Sequence, residues 1–163
     1  MHGAVAASSE QINGAGHTLE IHLPDQPLFV EGDPLRLTQA LSNIVSNAAK
    51  FSPRAGLISL EVASADGSAT ITVRDCGQGI TADFLPHVFE LFAQQDRSPG
   101  RKPGGLGVGL TLARRIARLH DGNVEAFSDG SGKGARFVLS LPLADPGRSV
   151  DEPSPRSSPC SPQ

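Results

Sequence analysis

The sequence contains no tryptophan, no tyrosine and a single methionine. Its core must therefore be built from valine, leucine, isoleucine, alanine and the seven phenylalanines. Only two cysteines occur, Cys76 and Cys160, far apart along the chain, which excludes a disulfide framework. Apolar runs are short, and none approaches the roughly 18 residues that a membrane span requires. The opening "MHGAVAASSE" has neither a basic region nor an apolar stretch, so no signal peptide is read. A dominant charge is missing as well. With 14 basic and 17 acidic residues the net charge is −3 and no basic stripe appears, which argues against nucleic acid as a partner. The expectation is a cytoplasmic segment that makes no membrane contact.

What the chain does have is enough length for one domain with a proper core. Its 18 glycines and 13 prolines are many, and their positions carry the information. Residues 145–163 hold five prolines and five serines, a composition that cannot pack and reads as a disordered tail or linker. Residues 1–16 read as a linker remnant, with a possible short helix over Ala4–Ile12 cut by Gly14 and Gly16. The folded domain is expected over residues 17–144.

Within that domain the pattern alternates. "HTLEIHLP" sets Leu19, Ile21 and Leu23 against polar neighbours and predicts a strand. "PLFVEG" predicts a second, shorter one. Asp33-Pro34 is a helix start, an N-cap acid followed by proline at the first helical position, and the helix should run to Phe51. Leu57–Ser64 and Ala69–Asp75 predict a hairpin about Asp66-Gly67. A short helix is predicted over Ala82–Phe92, a polar loop over Ala93–Gly105 and a helix over Gly109–His120. Two strands, "NVEAFS" and "ARFVLSLP", close the domain. Paired strands with three helices predict an α/β (α+β) fold, a two-layer sandwich of a mixed, mostly antiparallel sheet.

On a helical wheel Leu37, Leu41, Ile44, Val45 and Ala48 share one side of the Asp33 helix. Arg36, Gln39, Asn43, Asn47 and Lys50 form a continuous polar stripe beside it. A merely solvated face has no need of asparagine, which costs roughly half a kcal/mol against alanine inside a helix. An amide oxygen is a hard neutral ligand suited to Mg²⁺, and a nearby lysine suits phosphate.

Three glycine clusters follow. In "DCGQGI", Asp75 ends a strand, where its carboxylate could accept a hydrogen from the exocyclic amine of adenine and reject guanine. "GGLGVGL" opens a helix, and backbone amides at a helix N-terminus make an anion site. No Gly-Lys-Ser/Thr follows, so it is not a Walker A loop. "GSGKGA" is explained as well by a hairpin turn as by phosphate binding.

Taken together, these segments resemble the catalytic ATP-binding domain of sensor histidine kinases, a branch of the gyrase–chaperone–kinase–mismatch-repair superfamily with the Bergerat fold. "DPLRLTQALSNIVSNAAKFS" resembles its N box, "DCGQGI" the first G box, "HVFELF" the F box and "GGLGVGL" the second G box. "GSGKGARFVLSLP" resembles its closing glycine motif. The resemblance implies ATP and Mg²⁺ as ligands, with Asn47 on the metal, Asn43 supporting it, Lys50 on phosphate and Phe51 lining the pocket. It implies Asp75 on adenine, with Gly77, Gly79 and Ile80 beside the base. Phe89 and Phe92 would anchor a mobile lid. Gly105, Leu106, Gly107, Val108, Gly109 and Leu110 would close over the phosphates.

Hydrolytic and serine-phosphorylating relatives resemble one another in having Glu where Asn43 stands. A carboxylate can deprotonate water or a hydroxyl and an amide cannot, so Asn43 favours transfer to an imidazole, which needs no base. Ala135 stands where Ser or Thr is usual, and Asp121 where Gly is. His2, His17, His22, His87 and His120 all lack a phosphoacceptor context and read as surface or cap histidines. Cys76 reads as a small filler. The implied partners are a dimerisation and histidine-bearing domain, in cis or trans, and a receiver domain downstream. The alternative is a nucleotide-binding module that performs no chemistry.

Overall fold

The computed structural model describes residue 3 and residues 12–94 and 107–144. Most of the expected Ala4–Ile12 helix, the loop from residue 95, Gly105, Leu106 and the tail lie outside the described residues. Residues 12–14 are helical.

The elements run β1 (Thr18–His22), α1 (Pro34–Phe51), β2 (Leu57–Ala65), β3 (Ser68–Asp75), α2 (Gly109–Arg118), β4 (Asn123–Phe127) and β5 (Arg136–Pro142). They form a five-stranded sheet in the order β1-β2-β3-β5-β4. β1 pairs with β2 in parallel, and every other pairing is antiparallel. The mixed, mostly antiparallel sheet is the one expected. A parallel pair cannot be closed by a tight turn, and α1 is the crossover that joins β1 to β2.

α1 begins where local chemistry says it should. Asp33 Oδ1 accepts from the N–H groups of Leu35 at 2.9 Å and Arg36 at 3.2 Å, and Pro34 occupies the first turn. Such a cap is worth about 1 kcal/mol. The helix buries Ala40, Leu41, Ile44, Val45, Ala48 and Ala49, against the sheet residues Ile58, Leu60, Val73, Phe137 and Leu139 and against Ala113 and Ile116 of α2. Fully burying one such aliphatic or phenyl side chain contributes about 1.5–3 kcal/mol. The β2–β3 hairpin turns through Asp66 (φ 50) and Gly67 (φ 75), and two consecutive positive φ values match the right-handed twist of the strands.

Two expectations are corrected. "PLFVEG" is not a strand but a single bridge, Val30 to Leu143. Pro24 and Pro27 withhold two of the N–H groups that a ladder needs. The helix expected over Ala82–Phe92 is a 3₁₀ turn, Leu85–His87, within a run of i to i+3 bonds such as His87 N–H to the Phe84 carbonyl. Pro86 removes a donor at its centre and disfavours the α conformation at Leu85. Between β1 and β5 the described helical elements are therefore two α-helices and one 3₁₀ turn. Among the described residues no helix is long and apolar enough to cross a membrane.

Candidate nucleotide site

A cavity of about 860 Å³ opens between the C-terminal half of α1, the end of β3 and the start of α2. Asn43, Asn47 and Lys50 reach it from three successive turns of α1, and Phe51 closes that wall. Asp75, Gly79 and Ile80 line it from the loop after β3. Gly107, Val108, Gly109 and Leu110 line it from the α2 side. The stripe on α1 thus divides. Its last three members face the cavity, whereas Arg36 and Gln39 are exposed, Arg36 beside Asp33 at 3.5 Å.

Asp75 is held by backbone. Its Oδ1 accepts from Gly77 N–H at 2.8 Å and from Ala135 N–H at 3.2 Å, which leaves Oδ2 as the oxygen available to a ligand. Burial pushes its carboxyl above the usual carboxylate range, against the opposing pull of these two amide bonds. Gly77 does not itself line the cavity; its part is the amide on Asp75.

The last glycine motif is the turn between the antiparallel strands β4 and β5. It braces the loop after β3. Gly132 N–H donates to the Gln78 carbonyl at 2.6 Å and Gly134 N–H to the Gly77 carbonyl at 3.1 Å. A β-carbon at Gly134 (φ 69) would collide with the Asp75 carbonyl, and one at Gly79 (φ 70) with the Gly130 carbonyl. Ser128, which no sequence pattern singled out, ties the two loops together. Its hydroxyl accepts from Ile80 N–H at 2.9 Å and donates to the Gly134 carbonyl at 2.7 Å.

The F-box phenylalanines behave differently from each other. The Arg114 guanidinium sits 4.7 Å from the Phe89 ring centroid, and the Thr111 hydroxyl donates to the Phe89 carbonyl at 2.8 Å, so Phe89 is fixed to α2. Phe92 is 69% exposed, and its backbone N–H donates to the Gly107 carbonyl at 3.2 Å. Neither ring lines the cavity. Residues that do, and that sequence reasoning missed, include Ser46, Arg54, Gln78, Phe84 and Val88. Cys76 is exposed and so fills nothing.

The donor set fits a metal–nucleotide. Among the described residues no group of three or more His, Cys, Asp or Glu could hold a metal ion by itself. A cation here would take an amide oxygen from Asn47 and its other ligands from phosphate and water, the habit of Mg²⁺. Asn43 Nδ2 is buried without a hydrogen-bond partner, a donor suited to an anionic oxygen. α2 has no side-chain N-cap bond, which leaves its first amides for an anion.

Comparison with known proteins identifies the family. Residues 32–145 match the family described as histidine kinase-, DNA gyrase B- and HSP90-like ATPase. The chain is 39% identical over 126 residues to the sensor histidine kinase WalK of Bacillus subtilis (strain 168), across 76% of this chain and 20% of that one. The mycobacterial sensor histidine kinase MprB superposes with a TM-score of 0.75 at 24% identity, over 87% of this chain and 94% of that structure. Full-length ShkA, solved in complex with AMPPNP, gives 0.74 at 27% identity over 88% of this chain and 29% of that one. The chain spans only a fifth of the length of WalK. The chain belongs to the histidine kinase-, DNA gyrase B- and HSP90-like ATPase family, as an ATP-binding catalytic domain of the sensor-histidine-kinase type.

Proposed function

We propose that this domain binds Mg-ATP in the cavity between α1 and α2 and passes the γ-phosphoryl group to a histidine carried by another domain. The observation that carries the reading is that Asn47 and Lys50 on α1 and Asp75 after β3 line one cavity from two different elements. A carboxylate at one end suits the adenine amine, and an amide and an ammonium suit a metal-bridged triphosphate.

Asp75 Oδ2 would accept from the adenine amine while its Oδ1 stays with the two backbone amides. Phe51 and Ile80 would supply apolar contact for the base. Lys50 would balance phosphate charge, and Asn47 would orient the metal. Magnesium, when bound, would supply neutralisation of phosphate charge. The incoming imidazole nitrogen would form the new P–N bond with its own lone pair as the β–γ bridging P–O bond breaks toward ADP. No protein base is needed at Asn43, and catalysis is positioning and charge neutralisation. The receiving histidine and a downstream receiver are partners on this reading, and the location is cytoplasmic.

The test supplies radiolabelled ATP, Mg²⁺ and a separate dimerisation–histidine domain. Label on that domain's histidine is the expected result. Measurable Mg-ATP binding without transfer to any such domain would reduce the function to nucleotide binding.

A further inference from the structure

His17 is not a surface histidine; it is a buried cap on the C-terminal turn of α1. Its side chain is buried, with the residue 8% exposed, and its ring lines the nucleotide cavity. Nε2 lies 2.9 Å from the carbonyl oxygen of Ala49 in the last turn of α1. A carbonyl only accepts, so Nε2 is the donor of this bond. Nδ1 is buried with no hydrogen-bond partner.

The Ala49 carbonyl needs this donor for a reason written in the sequence. Four residues on, where the helix would supply an N–H, stands Pro53, which has none. The turn so completed holds Lys50 and Phe51, two cavity residues. The Phe51 carbonyl, at the end of the helix, accepts from Gln78 N–H at 3.2 Å in the loop after β3.

His17 is in turn part of the segment that enters the domain. Its own N–H donates to the Ile12 carbonyl at 2.9 Å, and Gly16 N–H to the Asn13 carbonyl at 3.0 Å. Ile12 is 3% exposed within the main core. Gly14 and Ala15 line the same cavity, and the Ala15 carbonyl accepts from Ala55 N–H at 3.1 Å, just past the end of α1.

We propose that His17 is a positioning residue of the nucleotide site, through which residues 12–17 set the affinity of the cavity for Mg-ATP. The inference rests on the nucleotide reading above and adds its regulation: whatever displaces this segment loosens the turn bearing Lys50 and Phe51. Coupling of this kind is reciprocal, so nucleotide must hold the segment as firmly as the segment holds nucleotide.

The experiment uses the full chain and Mg-ATP. Binding is titrated at a temperature where circular dichroism shows every variant folded. His17→Leu keeps the bulk but removes the donor, and should bind about tenfold more weakly. His17→Gln keeps an N–H donor and should recover most of that loss, which a role in filling space alone would not produce. Equal affinity in His17→Leu and the parent overturns the proposal, as does a His17→Gln variant no better than His17→Leu. Should His17→Leu not fold, amide exchange on the parent decides. Saturating Mg-ATP should slow exchange at Gly16 and His17 and leave Asp33, at the far end of α1, unchanged. Unaltered exchange at Gly16 and His17 overturns the proposal. A parent chain that binds no Mg-ATP at all overturns the nucleotide reading itself.

Discussion

Asp75 and Ala135 are bonded in both directions. The Asp75 N–H donates to the Ala135 carbonyl at 2.9 Å, and the Ala135 N–H donates to Asp75 Oδ1 at 3.2 Å. The exchange fixes which carboxylate oxygen is committed to the protein. It also means that the alanine standing where a hydroxyl residue is usual in the family still does backbone work on the acid.

The first prediction concerns Asp75→Asn. The two backbone donors would claim the amide oxygen, turning the NH₂ group toward the ligand. A donor would then face the amine of adenine, leaving both unpaired. ATP affinity should fall by about 1–3 kcal/mol, roughly five- to over a hundredfold. Competition titrations should also show a narrower gap between ATP and inosine triphosphate, whose 6-oxo group accepts where adenine donates. Unchanged ATP affinity would remove Asp75 from the base.

The pH dependence follows from burial of the same group. The folded state raises the Asp75 pKa, so the fold binds this proton more tightly than the unfolded chain does. The contribution of Asp75 to stability is therefore most favourable at low pH, and it declines as pH rises from the unfolded value through the folded one. Between parent and Asp75→Asn, the difference in melting temperature should shift toward the parent on acidification through that window. ATP binding should run the other way, weakening as the carboxylate gains its proton. A melting difference that is flat across the acidic range would contradict the sign.

Asn47 should separate stability from function. Alanine is the better helix former by roughly half a kcal/mol, and the site is only partly buried. Asn47→Ala should melt slightly higher than the parent and bind Mg-ATP at least tenfold more weakly, a loss within the typical range for a hydrogen bond to a charged group. Titrations with and without Mg²⁺ check this, since the deficit should shrink when the metal is left out. Undiminished Mg-ATP affinity would count against the amide as a metal ligand.

Asp121 marks a place where the chain gives up stability. It adopts φ 56 immediately after α2, and the following Gly122 N–H bonds back to the Ala117 carbonyl at 2.9 Å, the arrangement that favours glycine at the left-handed position. Asp121→Gly should stabilise the fold by about 0.5–1 kcal/mol with Mg-ATP affinity unchanged. Chemical denaturation checks it, and a lower midpoint would show that the carboxylate contributes more than the strain costs.

Much of this was legible in the sequence because local chemistry and tertiary need coincide. Asp33-Pro34 announces α1, and the spacing of Asn43, Asn47 and Lys50 puts them on one face whatever the helix packs against. Asp66-Gly67 announces the hairpin. The failures have the opposite character. In Ala82–Phe92 an apolar periodicity suggested a helix, but Pro86 interrupts it and 3₁₀ bonding wins. Ser128 is one serine after a strand, with nothing periodic about it, yet it joins two loops. His17 looked bland because its importance depends on a missing N–H at Pro53, far away in sequence and adjacent only after β1 and β2 have paired.

That pairing also sets an order of assembly. The β2–β3 hairpin closes through a two-residue turn and can form in microseconds. Thr18 meets Leu57 only across the whole of α1, a far longer loop to close. The strand that follows His17 thus joins the sheet only after the hairpin has formed. Lying at one of the sheet's two edges, it can peel away in a partial opening that leaves the hairpin paired. The wall of the cavity nearest the incoming chain would dissolve while the hairpin endures.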